Sequence, residues 1–299
     1  MTQPYPYPGP PRYGPYQVLP PRYRRLRTTA IVTVALMGVT ALVSLLQSVL
    51  MWRSYDDVKN IIFLNLTEDE LENSMGTMVG GGWVIQIVGY LMFGTCIAYL
   101  LWLWHARENT DFLNSAYAPR PPAQPLPPGR GLHRLESGWL VGAWFCPIVQ
   151  FWYPLRIVQD VVAASEPPEQ PGAAKSPRIR ALVNAWWVGW VGYWVIVMTA
   201  LLVGFIATIV FIVKLVESTE DSDRSVAFYG LQDVLVQVAL WVDIGFTVAA
   251  LLLVVAAAAS ALLMHQVDQW QDERAKPAPI APVQNYYQPP SFPSYRPLS

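Results

Sequence analysis

The chain of 299 residues is 53% hydrophobic and only 14% charged, where soluble domains carry about a quarter of charged residues, so its composition fits a lipid bilayer better than water. A formal net charge of −1, from 20 Lys and Arg against 21 Asp and Glu, lacks the basic excess expected of a nucleic-acid partner. Cys96 and Cys146 sit in apolar stretches without CxxC or Cys/His spacing, which argues against a disulfide framework or a zinc site and leaves them as small core hydrophobes.

Residues 1–27 read as a cytoplasmic Pro/Tyr-rich tail. MTQPYPYPGPPRYGPYQVLPPRY is too poor in aliphatic side chains to build a core and favours extended polyproline II, so disorder is expected. Pro10-Pro11-Arg12-Tyr13 and Pro20-Pro21-Arg22-Tyr23 repeat a PPxY pattern suited to an aromatic groove on a partner. Such matches arise easily in this composition, and a solvated tail is the simpler reading.

The membrane domain is expected over 28–264. Its first apolar run, Thr28 to Trp52, exceeds the ~20 residues needed to cross ~30 Å of hydrocarbon. It is too long for a signal-peptide core and no A-x-A site follows, so it reads as a retained anchor. In the polar loop over 53–78, Thr67 and Glu70 have capping-box spacing and predict a short surface helix. The Asn65-Leu66-Thr67 sequon reads as chance. A second crossing over 79–104 opens with Gly80, Gly81 and Gly82 and closes with an interfacial Trp102, Leu103, Trp104 and His105. The glycines lack a following Lys-Ser/Thr, which argues against a phosphate loop. The PPAQPLPPG linker that follows, with Arg107, Arg120, Arg130 and Arg134, reads as unstructured.

The segment 138–155, GWLVGAWFCPIVQFWYPL, is apolar but broken by Pro147 and Pro154 and has basic residues on both flanks. A re-entrant or interfacial element that enters and leaves by one face fits best, with a full crossing as the alternative. Crossings over 183–213 and 234–264 flank an acidic loop, and a second Pro/Tyr-rich tail is expected over 265–299. The fold class is therefore all-α: a polytopic membrane helical bundle with four transmembrane helices and one Pro-broken segment. With the N-terminus inside, sixteen Lys and Arg fall on the inner side and four on the outer, which predicts a multi-pass protein of the cell membrane with both termini cytoplasmic.

The residues from Trp139 to Ser165, WLVGAWFCPIVQFWYPLRIVQDVVAAS, carry a resemblance to a known family. Together with the proline-rich leader, the ending WLWHARENTDFL of the second crossing and two final helices, they resemble an actinobacterial family of multi-pass membrane proteins, domain of unknown function 4328. The likeness spans most of the chain. Its signature here comprises Trp144, Phe145, Pro147, Gln150, Trp152 and Pro154, with Gln150 standing where the family is expected to favour Asn. The resemblance implies a multi-pass fold and supplies no activity, substrate or catalytic residue.

Asp243 is the one ionisable residue well inside a predicted crossing, at a depth shared by Gln47 and Gln86. Burial of a carboxylate there is costly, so these three are a candidate intramembrane polar site for a cation or proton. Interhelical hydrogen bonding is the bland alternative. Trp186, Trp187, Trp190, Tyr193 and Trp194 read as an interfacial belt. Gly245 with Ala249, and Ala257 with Ala261, read as a helix-packing face within the chain or in a homo-oligomer. His105, His133 and His265 lack catalytic spacing. No catalytic, cofactor-binding or metal-ligating constellation emerges, so the chain reads as a non-enzyme whose partners are the lipid bilayer and cytoplasmic proteins docking on its tails. A transporter or channel subunit built around Asp243 is the rival reading.

Overall fold

The computed structural model describes residues 22–63, 65, 67–115, 118–120, 131–146, 148–220 and 222–277. The expectations for the two terminal tails beyond these limits, for PPAQPLPPG and for Pro147 lie outside the described residues. The described elements are α1 (Arg27–Arg53), α2 (Tyr55–Ile62), α3 (Glu68–Leu113), α4 (Trp139–Phe145), α5 (Tyr153–Ser165), α6 (Pro177–Glu220) and α7 (Ser222–Ala275), with no strand among the described residues. Stretches within α1, α3, α6 and α7 are long and apolar enough to cross a membrane, with mean hydropathy from 1.9 to 2.9. In hydrocarbon a helix satisfies its own backbone groups, which is why these runs are helical throughout.

The long helices alternate in direction. The start of α1 and α6 and the end of α3 and α7 share one end of the bundle, here called the base; α2 lies at the opposite end, the crown, where Gln232 Nε2 donates to the Ile62 carbonyl at 2.6 Å. Exposed large apolar side chains run from Ile31 to Trp52 on α1 and from Trp83 to Trp104 on α3. Each belt covers about 21 residues, or ~32 Å at 1.5 Å per residue, close to the ~30 Å of a bilayer core. Helix order around the bundle is α3, α1, α7, α6; α3 and α6 meet through side chains, Tyr99 stacking on Trp186 and Met92 packing with Tyr193 and Val197, with little close backbone approach.

The tightest seam joins α6 to α7. A Cβ added at Gly189 would lie 2.7 Å from the Leu252 carbonyl oxygen and 3.0 Å from Ala256 Cβ, and one at Gly192 would lie 2.9 Å from Leu252 Cδ1. Small residues let the backbones meet where lipid offers no hydrophobic drive. Gly245 packs within the chain, 3.5 Å in Cβ terms from Ile196 Cγ2, and Ala249 is buried with Tyr193 and Val197. Ala257 and Ala261 are only half-buried; Ala256, Ala259 and Ser260 take the contact positions at that level.

The Pro-broken segment makes a closed excursion. α4 has seven residues, ~10 Å of helix, far short of a crossing. Trp144 reaches Tyr99 and Trp190 at ring separations of 5.5 and 5.7 Å, while the entering Trp139 and departing Tyr153 rings meet at 5.0 Å. Entry and exit therefore lie side by side at the base. Pro154 sits in the first turn of α5, where its missing N–H costs nothing.

Several element boundaries differ from the sequence reading. Thr67 and Glu70 start α3 itself rather than a separate surface helix: the Glu70 carboxylate accepts from the Thr67 N–H at 3.0 Å and its hydroxyl at 2.9 Å. α3 then runs unbroken through the three glycines. At the other end, α3 continues to Leu113 and α7 to Ala275, so the second tail begins about ten residues later than 265. Residues 131–137 are docked rather than unstructured, because Arg107 donates to the Leu135 carbonyl at 2.6 Å and Arg134 bridges Asp160 at 2.7 Å. The aromatic set on α6 is an internal cluster in place of an interfacial belt: Trp186 is 3% exposed and stacks on Tyr99 at 6.0 Å. Helix rotation, which sequence depth does not give, decides this.

Gly189→Ala forces apart two backbones and is expected to lower the melting temperature of the detergent-purified protein, at a cost of about 1–3 kcal/mol typical of overpacking. Gly204→Ala, on the same helix with open space around its Cβ, is expected to leave it unchanged or raise it slightly.

Candidate functional site

Because α3 and α6 stand apart, a cleft runs between them along the bundle, backed by α1 and α7. Its base-side chamber, about 820 Å³, is walled by Met92, Trp144, Phe151, Trp190 and Trp194. Its crown-side chamber, about 950 Å³, is bounded by α2, the glycines of α3 and Gly204. Gln47 and Ile85 line both and mark where they meet. Each volume falls in the upper part of the range of small-molecule sites.

The three predicted polar residues separate here. Asp243 and Gln47 both line the crown-side chamber. Asp243 is 7% exposed, and no described residue donates a hydrogen bond or ion pair to its carboxylate. Gln47, also buried, donates weakly to Met51 Sδ at 3.8 Å. Gln86 is exposed on α3 and lines neither chamber. The interhelical hydrogen bonds of the apolar zone are made by hydroxyls instead: Thr40 with Thr95 at 3.0 Å, and Ser48 with Thr247 at 2.7 Å, where Trp52 also donates at 2.8 Å.

The signature residues build the base-side wall. Trp144, Phe145 and Gln150 line the chamber, Trp152 is half exposed, and Pro154 is buried. The excursion of residues 139–153 is thus the plug that closes the cleft toward the base.

Beneath the cleft lies a buried polar knot that hydropathy alone did not reveal. Asn109 grips the backbone before α1 at both ends, accepting from the Arg24 N–H at 2.9 Å and donating to its carbonyl at 2.7 Å. Asn109 also donates to Gln271 Oε1 at 2.9 Å. The Gln271 amide nitrogen donates to the Ala106 carbonyl at 3.0 Å and to Ser165 Oγ at 2.8 Å. Arg274, 1% exposed, donates to the Ala164 carbonyl at 2.6 Å and the Leu113 carbonyl at 2.8 Å. One guanidinium therefore caps the C-termini of α3 and α5, where carbonyls are orphaned and the helix dipoles are negative. The pattern was present in the sequence: Leu263, Val267, Trp270, Gln271 and Arg274 continue a helical stripe past the last apolar residue of the crossing.

Asp268 completes the base. It accepts from the Trp102 indole at 3.2 Å, six residues beyond the last exposed apolar residue of α7, Leu262. The neighbouring Asp272 accepts a hydrogen bond from the Tyr23 hydroxyl.

Arg274→Met leaves two buried helix ends without their donors. The expected loss is about 1–3 kcal/mol per orphaned group, read as a lower melting temperature and faster hydrogen exchange at the C-terminal turn of α5.

Among curated proteins and solved structures, none matches this chain. The family described as Domain of unknown function (DUF4328) matches residues 64–269, a stretch that runs from the start of α3 through the excursion to the base of α7, and the chain belongs to this family.

Proposed function

We propose that the protein is a non-catalytic scaffold of the cell membrane, its base toward the cytoplasm, whose two Pro/Tyr-rich tails recruit cytoplasmic proteins. The observation that carries this reading is the pairing of the chain ends: Tyr23, leading into α1, donates to Asp272 near the end of α7, and Asn109 fixes Arg24 beside them. Both tails therefore leave the bundle from neighbouring points. Two short docking segments rooted together raise each other's effective concentration at a shared partner, which lets weak motifs act as one stronger site. The orientation is supported by the excess of Lys and Arg on the regions that border the base.

Crosslinking and purification from membranes tests it, comparing the full chain with forms lacking residues 1–21, residues 278–299 or both. Partners recovered with the full chain are expected to be weakened by either deletion and lost with both, and a fluorescent protein fused after Ser299 is expected to fluoresce. A partner set that persists without the tails, or phosphatase activity from a fusion at that position, sinks the reading.

A further inference from the structure

We infer that the crown-side chamber is a binding site for a lipophilic cation, a molecule with a single positive charge on an aromatic or branched apolar body. The site does not depend on the scaffold reading. The carboxylate of Asp243 is the anchor. It lines a cavity of about 950 Å³, is 7% exposed, and has no hydrogen-bond or salt-bridge partner among the described residues.

Its position excludes most other solutions to its charge. Asp243 lies nine residues into α7 from Val234, the exposed large apolar residue nearest the crown among the described side chains, or ~14 Å from it at 1.5 Å per residue. A carboxylate at such depth is tolerated where it faces a cavity or a counter-charge. The nearest cation on the chamber wall is Arg53, the exposed last residue of α1; it forms no ion pair with Asp243. Gln47, Ser54, Tyr55 and Thr208 are the other polar side chains on the wall, and none carries charge at neutral pH. The rest of the wall is aliphatic, aromatic or glycine, so a strongly hydrated inorganic ion finds few oxygen ligands to replace its water. An organic cation brings its own apolar shell.

The route and the shape agree with that ligand. The cleft lies between two helices whose backbones stand apart beyond the side-chain contacts nearer the base, so a solute dissolved in the bilayer reaches the chamber sideways. Tyr55 and Phe211 stand in the crown-side wall, and the aromatic wall of Trp190 and Trp194 continues into the adjoining chamber. Such rings attract a desolvated cation by their π faces. Trp144 and Phe151 of the excursion wall the far end of the cleft.

The test measures binding of radiolabelled tetraphenylphosphonium to the full-length protein in lipid nanodiscs by equilibrium dialysis, with tetraphenylborate as the competitor of like shape and opposite charge. Saturable binding is expected, weakened at least tenfold by Asp243→Asn, retained by Asp243→Glu, and resisted by the borate. Gly204→Phe provides an independent arm. Its Cβ meets nothing within 4 Å, so the ring fills the chamber without displacing backbone, and binding is expected to fall at least tenfold with Asp243 intact. Gln86→Leu, on the outer face of α3, is expected to bind as wild type. Absence of saturable binding, equal competition by the borate, or unchanged binding in folded Asp243→Asn overturns the inference. Should Asp243→Asn fail to fold, unchanged binding in Gly204→Phe overturns it as well.

Discussion

At the base of the bundle a guanidinium with no carboxylate within salt-bridge distance among the described residues is held by carbonyl oxygens at the ends of two helices. Arginine keeps its charge under all ordinary conditions, so Arg274 stays buried only while those carbonyls are aimed at it. The converse also holds: α3 and α5 end there with carbonyls that need a donor. The dependence is mutual, and it couples elements far apart in the chain, since Leu113 and Ala164 precede Arg274 by more than a hundred residues. Gln271 and Asn109 extend the same logic to α1, so the start of α1 and the ends of α3, α5 and α7 are tied by hydrogen bonds whose loss leaves a buried group unpaired.

This fixed base explains how a short proline-broken segment holds its place in the bundle. α4 is too short to be a stable helix alone. It is held because α5 behind it is anchored at Ala164 and Ser165, and because Leu140 and Ala143 are buried against the core that includes Leu103, Ala106 and Ile157. The cleft follows from a second asymmetry. Glycines at 189 and 192 draw α6 tightly onto α7, while Tyr99, Trp144, Trp186 and Trp190 interpose bulky rings between α3 and α6 near the base. Small residues close one seam and aromatic residues prop the other open.

The crossings were legible because a run of twenty apolar residues has few fates other than a membrane span. The excursion at 138–155 was legible from its two prolines and its basic flanks. What hydropathy hid was the base: Asn109, Gln271 and Arg274 look like loop residues when only polarity is weighed, though they lie on the helical stripe of their apolar neighbours. Depth along a helix was readable and rotation was not. Gln47 and Gln86 occupy similar depths, yet Gln47 shares its face with the buried Thr40, Ser44 and Ser48, whereas Gln86 stands with the exposed Trp83 and Tyr90. Bulky aromatics three and four residues away marked a lipid-facing side, and small hydroxyls marked a packed one.

The same distinction bears on why Asp243 is not simply another packing residue. Interhelical hydrogen bonds in membranes contribute about 0.6 kcal/mol on average, and this bundle makes them with Thr40, Thr95, Ser48 and Thr247, groups that are inexpensive to bury. Thr247 lies one turn from Asp243 and donates its hydroxyl to the backbone carbonyl of residue 243, not to the carboxylate. With that hydroxyl's one proton spent on the backbone, a carboxylate left facing open space gains nothing for the stability of the fold. Its desolvation cost stands uncompensated among the described residues, and in a cavity of ligand size that imbalance is the ordinary mark of a group kept for what enters from outside.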